Sequence, residues 1–153
     1  MEFDIYGNLQ PAEIILTDWV TFEKMFVESF PGSATRSDLF NNFADYVTNA
    51  KQIFGISFYQ WIDGSFITNK LNPRDIDFVT FVNFDVYYAN ESEIDRLREL
   101  RNIGKFGMDG YFVPIYPHQH PKRFLYEADQ LQWQYLFQRS RSDRKKGIIE
   151  LKY

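Results

Sequence analysis

Residues 61 to 78, Trp-Ile-Asp-Gly-Ser-Phe-Ile-Thr-Asn-Lys-Leu-Asn-Pro-Arg-Asp-Ile-Asp-Phe, constrain the fold of this chain more than any other stretch. An apolar run ends at Gly64-Ser65, residues 66 to 74 form a nine-residue spacer, and a second apolar run (Phe78, Val79, Phe81, Val82) opens on Asp75 and Asp77. That punctuation predicts a strand, a turn, a loop and a second strand. Successive strand residues point to opposite faces, so Asp75 and Asp77 leave the same face about 6 to 7 Å apart along the backbone. At that spacing the two carboxylates can share divalent cations. A glycine lets the backbone come close to a phosphate, and backbone N–H groups together with a serine hydroxyl can cradle phosphate oxygens. The pattern is therefore the layout of a site that holds a nucleoside triphosphate through metal ions.

Taken singly, Gly-Ser after a strand is a turn and Asp-x-Asp is a solvated strand end; the spacing between them is what carries chemistry. Other acidic motifs fit less well. An EF-hand loop beginning at Asp63 needs glycine where Thr68 stands. The phosphatase-type Asp-x-Asp-x-Thr fails at Val79. Glycosyltransferases with an Asp-x-Asp metal site are larger and do not need the Gly-Ser element.

The rest of the chain predicts one domain over residues 1–153, with no repeat, low-complexity tract or linker. A chain of this size removes about two-thirds of its unfolded surface from water and carries its own core. Thr17 or Asp18 is positioned to cap a helix in which Phe22, Met25, Phe26 and Phe30 recur until Pro31-Gly32. Thr35 or Ser37 opens a second helix with Leu39, Phe40, Phe43, Tyr46 and Val47 on one face. Strands are expected over 53–62, 76–88 and 110–116, a charged helix over 91–103, and a fourth, edge strand over 147–151. A last helix is expected over 122–139, with Phe124, Leu125, Leu131, Tyr135 and Leu136 turned inward. The fold class is α/β (α+β): a short mixed sheet of about four strands flanked by helices. Trp19, Trp61 and Trp133 read as core.

Composition limits the function classes. There is no cysteine, which excludes disulfides, thiolate metal sites and cysteine nucleophiles, and fits a reducing cytosol. With no apolar run near 18 residues and no basic-then-apolar N-terminus, a soluble cytoplasmic protein without a membrane partner is expected. The net charge of −4 argues against bulk coating of nucleic acid. Aromatic residues make up 19% of the chain, so some rings are expected to face a ligand or a partner as well as the core.

The Gly64-Ser65, spacer and Asp75-Ile76-Asp77-Phe78 arrangement resembles the signature of the polymerase-β-like nucleotidyltransferase superfamily. The block from Trp61 to Asp77, with Pro114-Ile115-Tyr116-Pro117 and Lys146-Gly147-Ile148-Ile149, is similar to small stand-alone prokaryotic nucleotidyltransferase-like proteins over nearly the whole chain. One departure is Asp63, where the superfamily has an apolar residue. The resemblance implies Mg²⁺ or Mn²⁺ at Asp75 and Asp77, and transfer of NMP from ATP or another NTP to a hydroxyl of a partner protein or RNA. Small members of the superfamily include toxins and antitoxins, so a role in a toxin–antitoxin or phage-defence system is implied as well. The chain is too short to carry the added substrate-binding domain of larger relatives, so a partner, a homo-oligomer or a small acceptor must supply that surface.

Two closely spaced metals carry more charge than two carboxylates balance well, so a third is expected. Asp109, at the head of the strand Gly110-Tyr111-Phe112-Val113, would serve as both metal ligand and catalytic residue if that strand pairs beside residues 76–82. Asp85 is the rival, roughly 26 Å beyond Asp77 if the strand continues. Met108-Asp109-Gly110 is also a good turn. Lys70 and Arg74 in the spacer are the nucleotide-binding cations. Arg139, Arg141, Arg144, Lys145 and Lys146 form a second basic cluster, a run that is more often a solvated surface segment than a nucleotide or RNA contact. His118 and His120, bracketed by Pro117 and Pro121, read as a loop rather than a zinc site. The alternative function is a catalytically silent nucleotide-binding or protein-interaction subunit of such an assembly. A nucleic-acid-binding module has only the tail cluster behind it.

Overall fold

The structure is a computed structural model that describes residues 1–55, 58–102 and 107–153. Among the described residues it is a mixed α+β domain, with a five-stranded sheet, a separate two-stranded ribbon and five α-helices. The ribbon pairs β1 (Glu2–Phe3) antiparallel with β2 (Leu9–Gln10). The main sheet comprises β3 (Ile14–Thr17), β4 (Phe58–Asp63), β5 (Ile76–Asn83), β6 (Met108–Ile115) and β7 (Ile148–Lys152), in the order β3-β7-β4-β5-β6. The pairs β3–β7 and β5–β6 are parallel; β7–β4 and β4–β5 are antiparallel.

One face of the sheet carries Phe58, Ile62, Ile76, Phe78, Val82 and Phe112, and is covered by α1 (Trp19–Glu23), a π-helical turn over Lys24–Glu28, α2 (Arg36–Phe54) and α4 (Glu91–Asn102). Asp18 caps α1 by accepting a hydrogen bond from the Thr21 backbone N–H at 2.8 Å. The stripe Leu39, Phe40, Phe43, Tyr46 and Val47 of α2 is buried, as its helical spacing requires. The opposite face carries Trp61, Val79, Phe81, Val113 and Ile148, and α5 (Arg123–Phe137) lies over it.

Several expectations are corrected. The strand expected over 53–62 starts at Phe58, because α2 runs on to Phe54; residues 56 and 57 lie outside the described residues. The strand expected over 76–88 ends at Asn83, and Phe84–Ala89 form the short helix α3, which carries Asp85. The helix expected over 91–103 is present as Glu91–Asn102, residue 103 lying outside the described residues. The C-terminal strand sits inside the sheet rather than at its edge, with β3 covering its outer side. Its Ile148, Ile149 and Leu151 are all buried, the pattern of a strand enclosed on both faces.

The inward face of α5 is also reversed. Tyr126, Trp133 and Phe137 face the sheet, while Phe124, Leu125, Leu131, Tyr135 and Leu136 face water. Both faces of this helix are apolar, and the ring-lined sheet takes the one that matches it. Tyr126 packs edge-on to Phe81 and its hydroxyl meets that of Tyr59 at 2.8 Å, while Trp133 packs on Tyr111.

Candidate functional site

At the end of β4 the chain reverses at Gly64, whose φ is +76°, into a 3-10 turn over Ser65–Ile67 that sends Phe66 and Ile67 into the core. The spacer returns at Asp75, and β5 begins at Ile76. The strand register then does what separations along the sequence do not show. Asp63 lies directly opposite Asp77, and Asp77 directly opposite Asp109. Opposed residues share a sheet face with Cα atoms about 4.5 to 5.5 Å apart, and like charges so placed repel. Three carboxyl groups therefore stand in a row across β4, β5 and β6, with Asp75 two residues before the middle one.

Burial, joined at Asp77 by this crowding, shifts two of the carboxyl groups. Asp77 is pushed up to about 6, first by burial and then by the charges of Asp75, Asp63 and Asp109, with Lys146 pulling the other way. Burial pushes Asp63 up to about 6 as well, against the pull of Lys146 and the Gly64 N–H. The Lys146 Nζ lies 2.6 Å from Asp63 Oδ1, and both side chains are buried. The charge introduced by Asp63 is thus matched by a lysine from the far end of the chain.

Asp63, Gly64, Ser65, Lys70, Arg74, Asp75 and Asp77 line one open cavity of about 700 Å³, together with Asn8, Arg139, Arg141 and Lys146. The structure brings the Gly-Ser turn, the carboxylate pair and both spacer cations to one place. Asp109 flanks it through its register with Asp77, whereas Asp85 is exposed on α3, where it accepts a hydrogen bond from the Val86 N–H. The basic tail divides. Arg139 and Lys145 form a β-bridge, and the Lys146 N–H bonds to the Gln138 carbonyl, folding the segment back so that Arg139, Arg141 and Lys146 reach the cavity. Arg144 instead stacks on Tyr6, 3.6 Å from the ring centroid. His120 packs between Phe84 and Tyr116, in the loop before α5.

The glycine works differently from the sequence-based expectation. A Cβ at Gly64 would lie 1.7 Å from Asp77 Oδ2. The space it vacates is filled by the Asp77 carboxylate and is not left open for a phosphate.

One residue of the site escaped the sequence analysis. Arg36, the first residue of α2, is wholly buried and holds the loop by its backbone. Its Nη1 donates to the carbonyls of Phe26 and Phe66 at 2.7 and 2.6 Å, and its Nη2 to those of Thr68 and Lys70 at 2.8 and 2.6 Å. The guanidinium sits 3.9 Å from the Phe30 ring centroid. Burial lowers its pKa to about 10, which leaves it charged at neutral pH. The readable signal was its place on the apolar stripe, at helical spacing before Leu39, Phe40 and Phe43, at a helix N-terminus where a cation is disfavoured.

Residues 1–152 match a family profile. The chain belongs to the family of unknown function DUF6932. No curated protein matches it, and no solved structure does. Among the described residues no helix is long and apolar enough to cross a membrane, and no three His, Cys, Asp or Glu side chains are grouped as a ready-made metal cage. The donor set nevertheless suits a hard cation. Mg²⁺ is ordinarily held by one or two carboxylates and completed by substrate phosphates, and the neighbouring negative charges that raise the pKa of Asp77 are what such a cation offsets.

Proposed function

We propose that this protein is a metal-dependent nucleotidyltransferase that moves NMP from an NTP, ATP being the first to test, to a hydroxyl of a protein or RNA. The observation that carries the reading is the cavity in which the Gly64-Ser65 turn, Asp75, Asp77 and five cations converge, with Asp109 aligned beside Asp77. Asp75 and Asp77 would hold Mg²⁺ or Mn²⁺, which when bound supplies positive charge to the triphosphate.

The chain's own groups divide the remaining work. Lys70, Arg74, Arg139, Arg141 and Lys146 receive the phosphate oxygens, and Ser65 with the backbone N–H groups of its turn orients them. Arg36 keeps that turn fixed through the carbonyls of Phe66, Thr68 and Lys70. Asp109 accepts the proton of the acceptor hydroxyl as its oxygen bonds to the α-phosphorus. The bond to the β-phosphate oxygen breaks, and pyrophosphate leaves.

A second reading, a subunit that binds nucleotide without transferring it, is favoured because among the described residues no three carboxylates are grouped so that they could hold a metal ion together. One pair of measurements separates the two. A thermal shift with NTP and Mg²⁺ or Mn²⁺ reports binding, amounting to about 2.7 kcal/mol at a hundredfold excess over Kd. Incubation with each α-labelled NTP and cell extract reports transfer as a labelled band. A shift without label supports the silent subunit, and the absence of both removes the nucleotide reading.

A further inference from the structure

The outward face of α5 carries Phe124, Leu125, Leu131, Tyr135 and Leu136, which are 64%, 41%, 67%, 62% and 50% exposed. Ala128 and Gln132 complete the face, so no helical residue on it is charged, and Arg139, just beyond the helix, lies over its Tyr135 end at 4.8 Å from the ring centroid. The opposite face of the same helix is already used on the sheet through Tyr126, Trp133 and Phe137. Scaled by side-chain size, the five exposed residues present roughly 500 Å² of apolar surface, near the top of what a monomer ordinarily leaves in water. A standard interface buries about 800 Å² per partner with about 65% of its core apolar, which also comes to roughly 500 Å². The area exposed is thus what one stable two-fold interface consumes.

The order of residues specifies the occupant. In an antiparallel pair of identical helices with the two-fold axis between residues 129 and 130, Phe124 faces Tyr135 and Ala128 faces Leu131. Rings then meet rings and a large chain meets a small one, in the sense required by ridge-into-groove packing. At the margin Glu127 faces Gln132, an acceptor against a donor, and Arg123 lies over Leu136, so no like charges oppose. A self-complementary face of this kind is what an isologous contact requires. We propose that this protein forms a homodimer by antiparallel packing of α5 on the α5 of a second copy.

The test uses the full chain. Sedimentation at micromolar concentration is expected to give twice the monomer mass, and Leu131→Glu to weaken the dimer ~100-fold by placing a charge in its apolar centre. Because Leu131 faces water, the thermal melt of that variant should match wild type at a concentration below the wild-type dissociation constant, where both are monomers. Register is read with cysteines in a chain that has none of its own. Ala128→Cys mixed with Leu131→Cys should give a mixed disulfide faster than either variant alone gives its own. A wild-type monomer, which would leave the face to a different protein or to solvent, overturns the proposal. So does a dimer that survives Leu131→Glu, or one in which the mixed disulfide is not preferred.

Discussion

Two substitutions in the carboxylate row look alike and are expected to act in opposite directions. In metal-free protein the Asp77 carboxyl ionises near 6 instead of 3.8. The folded chain therefore holds this proton more tightly than the unfolded chain does. Stability falls as pH rises through the window from about 3.8 to 6, and stays lower above it. At about 1.4 kcal/mol per pH unit, ionised Asp77 lowers stability at neutral pH by about 3 kcal/mol. Asp77→Asn keeps the shape and removes the charge, so in EDTA it should gain up to about 3 kcal/mol at pH 7 and almost nothing at pH 4. Asp63 is raised to about 6 too, yet its charge is held 2.6 Å from buried Lys146. Asp63→Asn breaks that buried ion pair and leaves the lysine only the more distant charge of Asp77, which costs about 3 to 5 kcal/mol. Urea unfolding followed by tryptophan fluorescence from pH 4 to 8 in EDTA gives both differences. Adding NTP and Mg²⁺ should then stabilise wild type and leave Asp77→Asn unmoved. An Asp77→Asn variant that is neutral or less stable at pH 7 in EDTA would show that the row is not under electrostatic stress, and the argument for a cation there would fall with it.

Gly64→Ala should cost about 1 to 2 kcal/mol for its positive φ and more for pushing Asp77 aside; in an Asp77→Ala background only the φ cost should remain, which a double-mutant cycle measures. Arg36→Lys replaces a four-bond fork with a point charge and is expected to cost about 3 kcal/mol. It should also raise hydrogen exchange across residues 64 to 70, and unchanged exchange there would show that Arg36 does not hold the loop. Asp109→Asn should leave the nucleotide-induced thermal shift in place and abolish label transfer, while Asp85→Asn should leave both shift and transfer unchanged. Transfer that survives Asp109→Asn removes that residue from the mechanism.

What could be read from the sequence was what depends on near neighbours. Gly64-Ser65 and Asp75-x-Asp77 announce themselves within a few residues, and the five-residue apolar stripe of α2 spans enough turns to fix its inner face. The limits have physical causes. In α5, periodicity finds two apolar faces, and only the rings of Tyr59, Phe81 and Tyr111 on the sheet decide between them. Phe84–Ala89 are aromatic and β-branched enough to read as strand, but β6 ends at Ile115 opposite Asn83, so a longer β5 would have no partner on that side. The contiguous Ile148, Ile149 and Leu151 did carry the sign of an internal strand, and a position at the end of the chain masked it.

The Asp63–Lys146 pair is the most instructive of the contacts that could not be read. In sequence Asp63 is an unwelcome charge before a phosphate turn, and Lys146 belongs to a basic run that reads as solvated tail. Each is unfavourable where it stands: an isolated buried carboxylate or ammonium is costly, and only a partner offsets it. β7 enters the sheet beside β4, with Ile149 opposite Ile62, and so carries the residue just before the strand back to the end of β4. Placing the C-terminal strand inside the sheet thus also delivers a cation to the carboxylate row. Removing Lys146 would leave Asp63 buried without its ion-pair partner, in register with Asp77 and, one strand beyond it, Asp109. The basic run that reads as a solvated tail is what lets a fourth acidic residue stand in this site.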